Sequence, residues 1–415
     1  SRSQEEQRMQ DHVSRLVGLD GFRVKCVIED GDQLDLEVEL IARATECPHC
    51  AGGKLEIHER PVVRVRDLPL AGRQATLRWR KRRFRCERCR RTHTEACEQI
   101  AARQRQTVRF RARLAERARS GGVHAEIARE ECTTRYQVSR AMRIAAADAI
   151  QARRPGLPRR LSLDEAAHRK GSRNLATVVS DLDHRAVHDV LDGRTRRVLE
   201  RYLGSWSETD RERVEVVCID LYEPYRQAVR SKLPEAVIVV DPFHVVRGAG
   251  EALDPVRRYR QRQAGRRGPQ GRRARLSNWR PELYRARHLL LRGRERLTDP
   301  GRRRLCELFA ADPVIAEAWG LKEALRAVYA ADDRAGAEQA LARFLAAVER
   351  SGLRPFESYA KGIAPWRQEI LAYHDDPASN GYAEGVINKV KVIKRRAYGL
   401  PNFEGFPQRV LLACT

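Results

Sequence analysis

Three carboxylates fall where a divalent-metal site would need them. Asp164 closes the apolar run that starts at Leu161, Asp220 closes the longer run from Val214, and Glu384 sits far downstream in a segment of helical periodicity. Apolar runs ending in Asp read as strands that present oxygen at their ends, and a helix packed on the same sheet can bring a third carboxylate. A small set of hard oxygen ligands leaves room for water and phosphate oxygens around Mg²⁺ or Mn²⁺. Two such ions about 3.5–4 Å apart suit the hydrolysis and transesterification of phosphodiesters. Asp241, which ends the run from Ala236, has the same look and competes with Asp220; Glu165 and Asp181 are weaker rivals. For each Asp the plain alternative is a turn former or helix cap. No G-x-x-x-x-G-K-[ST] run occurs, so nothing calls for a nucleotide-binding loop.

A second metal set is made of sulfur. Cys47-x-x-Cys50 and Cys86-x-x-Cys89 each present two thiols on a tight turn, and the four together suit tetrahedral Zn²⁺ in a closed, structural site. A redox dithiol is the rival, and Cys97, His49 and His93 are substitute ligands. The gap between the knuckles reads as a hairpin over Arg60 to Arg85, whose basic run Arg78 to Arg85 would meet phosphate through Arg80, Arg82 and Arg83.

Two further basic elements point to nucleic acid. After two helical segments, Val108 to Ala118 and Val123 to Glu130, a third begins near Thr133 or Thr134. That order fits a helix-turn-helix with Arg135, Gln137 and Arg140 facing base edges; an ordinary helical bundle is the alternative. In the last helix, Ser379 to Ala397, Asn380, Glu384, Asn388, Lys391 and Arg395 recur at steps of 4, 4, 3 and 4, with Lys394 adjoining. One stripe thus joins a carboxylate to amides and cations that would contact the DNA backbone, while Val386, Ile387, Val390, Val392 and Ile393 supply a buried side.

The elements that must position these residues follow from the periodicity. Alternating strands dominate up to about Ile100, with Gly31-Asp32 as a hairpin turn, and a helical stretch follows to Ala149. Beyond Pro155 and Pro158 the order is three strands, helix, strand, helix, strand. The reading is an α+β multidomain chain: a zinc-binding domain over 1–100, a helix-turn-helix over 101–150, and a ribonuclease-H-like mixed α/β core over 159–256 and 375–415. An α-helical insertion spans 257–374, and Arg257 to Arg280 is expected to be a loop or flexible arm.

Composition agrees. The 415 residues carry 81 Lys and Arg against 56 Asp and Glu, a formal net charge of +25, which suits a polyanionic partner. No apolar run approaches the ~20 residues of a membrane span. The polar start resembles no secretory leader, so a cytoplasmic, nucleoid-associated protein is expected, with ten cysteines that are metal ligands and buried thiols rather than a disulfide framework.

These motifs in this order resemble the ISL-three group of bacterial insertion-sequence transposases over nearly the whole chain. The likeness rests on the two cysteine knuckles, on Leu163-Asp164-Glu165 with Arg169-Lys170-Gly171, and on Asp220-Leu221-Tyr222-Glu223-Pro224-Tyr225. It continues through Val240-Asp241-Pro242-Phe243-His244, Asn380 with Glu384-Gly385, Lys391 to Arg395, Tyr398-Gly399, Phe403 and Arg409. The resemblance implies a DDE transposase with Asp164, Asp220 and Glu384 as catalytic triad and metal ligands, and Asp241 and His244 as supporting or DNA-positioning residues. It implies double-stranded DNA as partner, both terminal inverted repeats and target, engaged by a homodimer or higher oligomer. His93 departs from the pattern, which has an aromatic after the second knuckle. A non-cutting DNA-binding regulator and a structure-specific nuclease of the same fold are the alternative functions.

Overall fold

A computed structural model describes residues 14–15, 17–100, 104–151, 156–167, 175–266, 281–396, 403 and 405–414, with backbone alone at 151, 263–266, 281, 383 and 384. Two compact units emerge, Ser1–Arg153 with Arg395–Tyr398, and Arg154–Lys394 with Gly399–Thr415.

The first unit starts with strands β1 (Phe22–Asp30) and β2 (Gln33–Leu40), joined at Gly31, whose φ of 55° suits a tight hairpin. The expected single hairpin between the knuckles is instead four strands shared by two sheets. β4 (Val62–Arg66) and β5 (Gln74–Arg80) complete a sheet of order β1-β2-β5-β4, whereas β3 (Leu55–Glu59) and β6 (Arg83–Cys86) join β7 (Thr92–Thr94) in the order β3-β6-β7. Alternation explains the larger sheet's single buried face: Leu36 and Val38 of β2 and Leu77 and Trp79 of β5 point into one core with Phe22 and Val65. Helices α1 (Val108–Arg119), α2 (His124–Glu130) and α3 (Arg135–Gln151) follow, closing over Phe110, Leu114, Ile127 and Val138.

The second unit is mixed α/β. Strands β8 (Arg160–Ala167), β9 (Leu175–Asp181) and β10 (Ala186–Asp192) form an antiparallel meander, and β11 (Val216–Ile219) and β12 (Val237–Val240) run parallel to β8. The sheet order is β10-β9-β8-β11-β12, so β8 and β11 are neighbours at its centre. Helices α4 (Arg196–Gly204) and α5 (Glu223–Lys232) make the connections. β11 is buried on both faces, as a central parallel strand should be. Val217 and Ile219 face the core that contains Leu199 and Tyr225, and Val216 and Cys218 face Ala372 and Ala378.

The Arg-dense stretch from Arg257 is not a loop where it is described. Helix α6 (Pro242–Arg266) runs through it, carrying Pro255 within, and the remainder of the stretch to Arg280 lies outside the described residues. Side-chain pairing explains the continuation: Arg257 is buried against Asp254 and Gln261, and Arg260 reaches Asp312. The boundary expected at 256/257 therefore falls inside a helix. Helices α7 (Asp299–Ala311), α8 (Pro313–Tyr329), α9 (Arg334–Ser351) and α10 (Arg354–Ile363) pack beyond it, and their core is continuous with that of the sheet. The chain ends in α11 (Gly381–Arg396) and α12 (Gly405–Ala413).

Candidate active site

Register places three carboxylates in a row. Ile219 pairs with Leu163 on one side and Val240 on the other, so the next residues, Asp164, Asp220 and Asp241, lie side by side on three adjacent parallel strands about 4.8 Å apart. Asp164 does not end its strand, because β8 continues to Ala167 beside β9. Asp220 occupies the middle, between the other two.

His244, in the first turn of α6, closes the row from one side. Its Nδ1 lies 2.9 Å from Asp220 Oδ1 and 2.8 Å from Asp241 Oδ2. Burial opposes a charged imidazole here, but the hydrogen bonds to Asp220 and Asp241 win and push its pKa up to about 10. Asp164 moves the same way for a different reason: burial and the nearby Asp220 charge push its carboxyl up to about 6. Asp220, Asp241 and His244 bring three ligand atoms within 4.8 Å of one another.

Asn380 closes the row from the other side. Its backbone N–H donates to Asp241 Oδ1 at 3.0 Å and its Nδ2 to Asp220 Oδ1 at 3.3 Å, while its Oδ1 accepts from Ser162 Oγ at 2.7 Å. Asn380 is 2% exposed, so it is a buried clamp rather than the DNA contact its place in the stripe suggested. Helix α11 starts at the next residue, which sets Glu384 in its first turn; the Glu384 side chain lies outside the described residues. The weaker rivals are used elsewhere: Glu165 holds Arg194 at 2.8 Å, and Asp181 accepts from the backbone of Asp183 and His184.

The four knuckle cysteines also converge. Cys47 and Cys89 Sγ are 3.6 Å apart, Cys50 and Cys86 Sγ 3.7 Å, and all four lie within 4.8 Å of one another. Tetrahedral zinc with ~2.3 Å bonds to sulfur requires edges of about 3.8 Å, so the cage fits the ion. Backbone N–H groups of Cys89 and Arg88 pull the Cys86 thiol down to about 7, whereas burial pushes its neighbour Cys50 up to about 11, so a metal would have to displace a proton there. His93 replaces the expected aromatic by acting as one: it stacks on Phe84 at 5.3 Å and 21°, and burial lowers its pKa, favouring the neutral ring.

The proposed DNA contacts divide. Arg82 is a correction: it is buried, donates to Glu95 Oε2 at 2.6 Å and to the Leu40 carbonyl, and so holds two sheets together instead of meeting phosphate. Arg80 and Arg83 remain partly open but pair with Glu37 and Glu59. Gln137 is also committed. It forms a reciprocal cap with Thr134, whose Oγ1 accepts from Gln137 N at 3.2 Å while Gln137 Oε1 accepts from Thr134 N at 3.3 Å. Arg135 and Arg140 stay exposed on the same helix. On α11, Asn388, Lys391 and Arg395 are exposed opposite buried Val386, Val390 and Ile393, Val392 is 44% exposed, and Lys394 donates to the Ala167 carbonyl at the end of β8.

Sequence reasoning missed how Asn380 and Ser162 work, because their pairing spans 218 residues. Among the described residues, no helix is long and apolar enough to cross a membrane.

Comparison with known proteins gives the family. Residues 161–410 match the ISL3 family model described as a transposase, and residues 43–89 match the zinc-finger of transposases of the IS204/IS1001/IS1096/IS1165 type. The transposase for insertion sequence element IS1001 of Bordetella parapertussis is 29% identical over 95% of each chain. The transposase for element IS1557 of Mycobacterium tuberculosis is 30% identical over 58% of this chain and 56% of its own. With the transposase model covering more than half of its length and a zinc-finger segment ahead of it, the chain belongs to the ISL3 family of insertion-sequence transposases.

Proposed function

We propose that the chain is a DDE transposase with a ribonuclease-H-like core. It binds the terminal inverted repeats of its element, cleaves DNA strands there, and joins them to target DNA by phosphodiester hydrolysis and transesterification. The observation that carries this reading is the row Asp164, Asp220, Asp241 on adjacent strands, with the helix of Glu384 pinned to it through Asn380.

The donor set fits Mg²⁺ or Mn²⁺, since it is built of hard carboxylate oxygens, and burial together with the nearby Asp220 charge raises the pKa of Asp164, which a cation would relieve. When bound, divalent ions would supply Lewis acidity to the attacking and leaving oxygens. Asp164, Asp220 and Glu384 are the ligands we assign. Asp241 and His244 orient Asp220, and Asn380 fixes the entry of α11. Zn²⁺ in the Cys47, Cys50, Cys86 and Cys89 cage is structural, because four protein ligands leave no open position. Arg135 and Arg140 on α3 and Asn388, Lys391 and Arg395 on α11 are the exposed groups offered to DNA. Two ends must be held together, so the working form is a homodimer or higher oligomer.

The test is a DNA carrying the element's terminal repeat, incubated with Mg²⁺ or Mn²⁺ and either wild type or Asp220→Asn. Metal-dependent cutting at the repeat edge by wild type, with at least a thousandfold loss and unchanged end binding in the variant, is the expected outcome. Binding without cutting by wild type would favour a regulator, and nicking with no joined product a structure-specific nuclease.

A further inference from the structure

A trough of about 1050 Å³ runs along helix α6, starting at Pro242 and Phe243, the residues that follow Asp241 in the chain. One wall is a single face of α6. Phe243, Arg247, Gly250, Asp254 and Arg258 all line the trough at steps of 3 or 4, a stripe about 22 Å long at 1.5 Å per residue. The other wall comes from the segment around Arg287, Arg292 and Arg296. Seven Arg and Lys side chains line it against two carboxylates, Glu251 and Asp254. Pairing neutralises much of this charge: Arg247 meets Glu251 at 2.8 Å, Arg258 and Arg287 share Asp254 at 2.7 and 3.5 Å, Lys322 meets Glu323 at 2.7 Å, and Arg296 and Arg326 share Glu295 at 3.7 and 2.5 Å. Seven cations against these four carboxylates still leave a cationic surplus of three.

Its mouth is aromatic. Phe243 is 50% exposed, although it lies beside His244, whose ring it meets edge-on at 5.5 Å. An apolar ring half open to water beside the polar groups of the site is poorly explained by packing. It is well placed to take the face of a base, and stacking of that kind is indifferent to sequence. A base inside an intact duplex has both faces covered by its neighbours and must be partly unstacked to meet a ring, whereas an unpaired one offers a whole face without that cost.

We propose that this trough holds an unpaired stretch of the DNA strand flanking the phosphate to be cut, with Phe243 stacked on the first unpaired base and the arginines on the phosphates behind it. The inference rests on the transposase reading above and adds to it a single-strand subsite, which implies that the DNA is opened next to the cut.

The experiment compares two end-labelled DNAs that carry the terminal repeat, one fully paired and one with six unpaired nucleotides flanking the cut site. Binding is measured without divalent metal, for wild type, Phe243→Ala and the double variant Arg292→Gln/Arg296→Gln. Wild type should bind the opened DNA at least fivefold more tightly, and Phe243→Ala should lose that preference while binding paired DNA as before. The arginine variant should lower the slope of log K against log salt by about 0.7 for each phosphate no longer neutralised, on opened DNA only. Equal binding of both DNAs by wild type, or an unchanged preference in both variants, overturns the subsite. Asp220→Asn is the control that separates the two readings: cutting abolished there with no flank preference in wild type leaves the transposase standing and removes the trough. Absence of any DNA binding by wild type removes both.

Discussion

Asn380 commits both ends of its side-chain amide and its backbone N–H to the site. Its amide holds Asp220, its backbone N–H holds Asp241, and its carbonyl oxygen takes the Ser162 hydroxyl. Replacing it by Ala leaves buried partners unsatisfied, at about 1–3 kcal/mol each. The expected result is a fold that survives, cutting reduced at least tenfold, and a higher metal concentration for half-maximal rate. An unchanged metal requirement would mean that Asn380 serves stability alone. Acidity should matter at the same spot. The Asp164 carboxyl is raised to about 6, so below that pH a cation must expel a proton before it can bind. Its folded pKa also lies above the ordinary carboxylate value, so ionising it without a cation costs stability that is fully present at low pH and lost as pH rises through 6. Apparent Mn²⁺ affinity should fall as pH drops from 7 to 5, by titration calorimetry at each pH, and Asp164→Asn should flatten that fall.

At the scale of elements, the strands of the second unit were readable from their apolar runs because each is buried on at least one face; Asp220 and Asp241 came with the ends of β11 and β12, whereas Asp164 lies inside β8. The first unit was harder. β3 to β6 were legible as strand material, yet nothing local tells which of four short strands joins which sheet. The knuckle geometry and the Arg82–Glu95 pair across buried positions decide it. The Arg257 to Arg266 stretch misled for the same reason, since Arg257 and Arg258 are held by Asp254 and Arg260 by Asp312, far away in sequence. Gln137 looked like a base-reading residue and proved to be a cap, because amides at that step serve either purpose. The small sheet β3-β6-β7 has little core of its own, only Phe84 against His93 among its stacked rings, so the cysteine cage must stabilise it. Elemental analysis should give one zinc per chain, and a strong chelator should expose Cys47, Cys50, Cys86 and Cys89 to thiol reagents while the second unit keeps its helices. A chain purified without zinc and equally protease-resistant would contradict this.

For the whole molecule, internal Arg–carboxylate pairs cancel one charge with another, so the net +25 survives however many of them form. Affinity for random duplex should therefore fall about a thousandfold or more between 50 and 200 mM salt, as for proteins that meet six or more phosphates. A shallow slope, read from filter binding across that range, would mean that the surplus charge is scattered rather than gathered on one face. Asn380 has one more consequence, which concerns the order in which the protein is made. Asp164, Asp220 and Asp241 leave the ribosome well before residue 380, and synthesis proceeds at about 5–20 residues per second. For several seconds a nascent chain carries three of the acidic groups while lacking the later helices that complete the core, the clamp and Glu384. On the function proposed above, a broken message or a stalled ribosome would thus release a product with its basic first unit made but its cutting site unfinished.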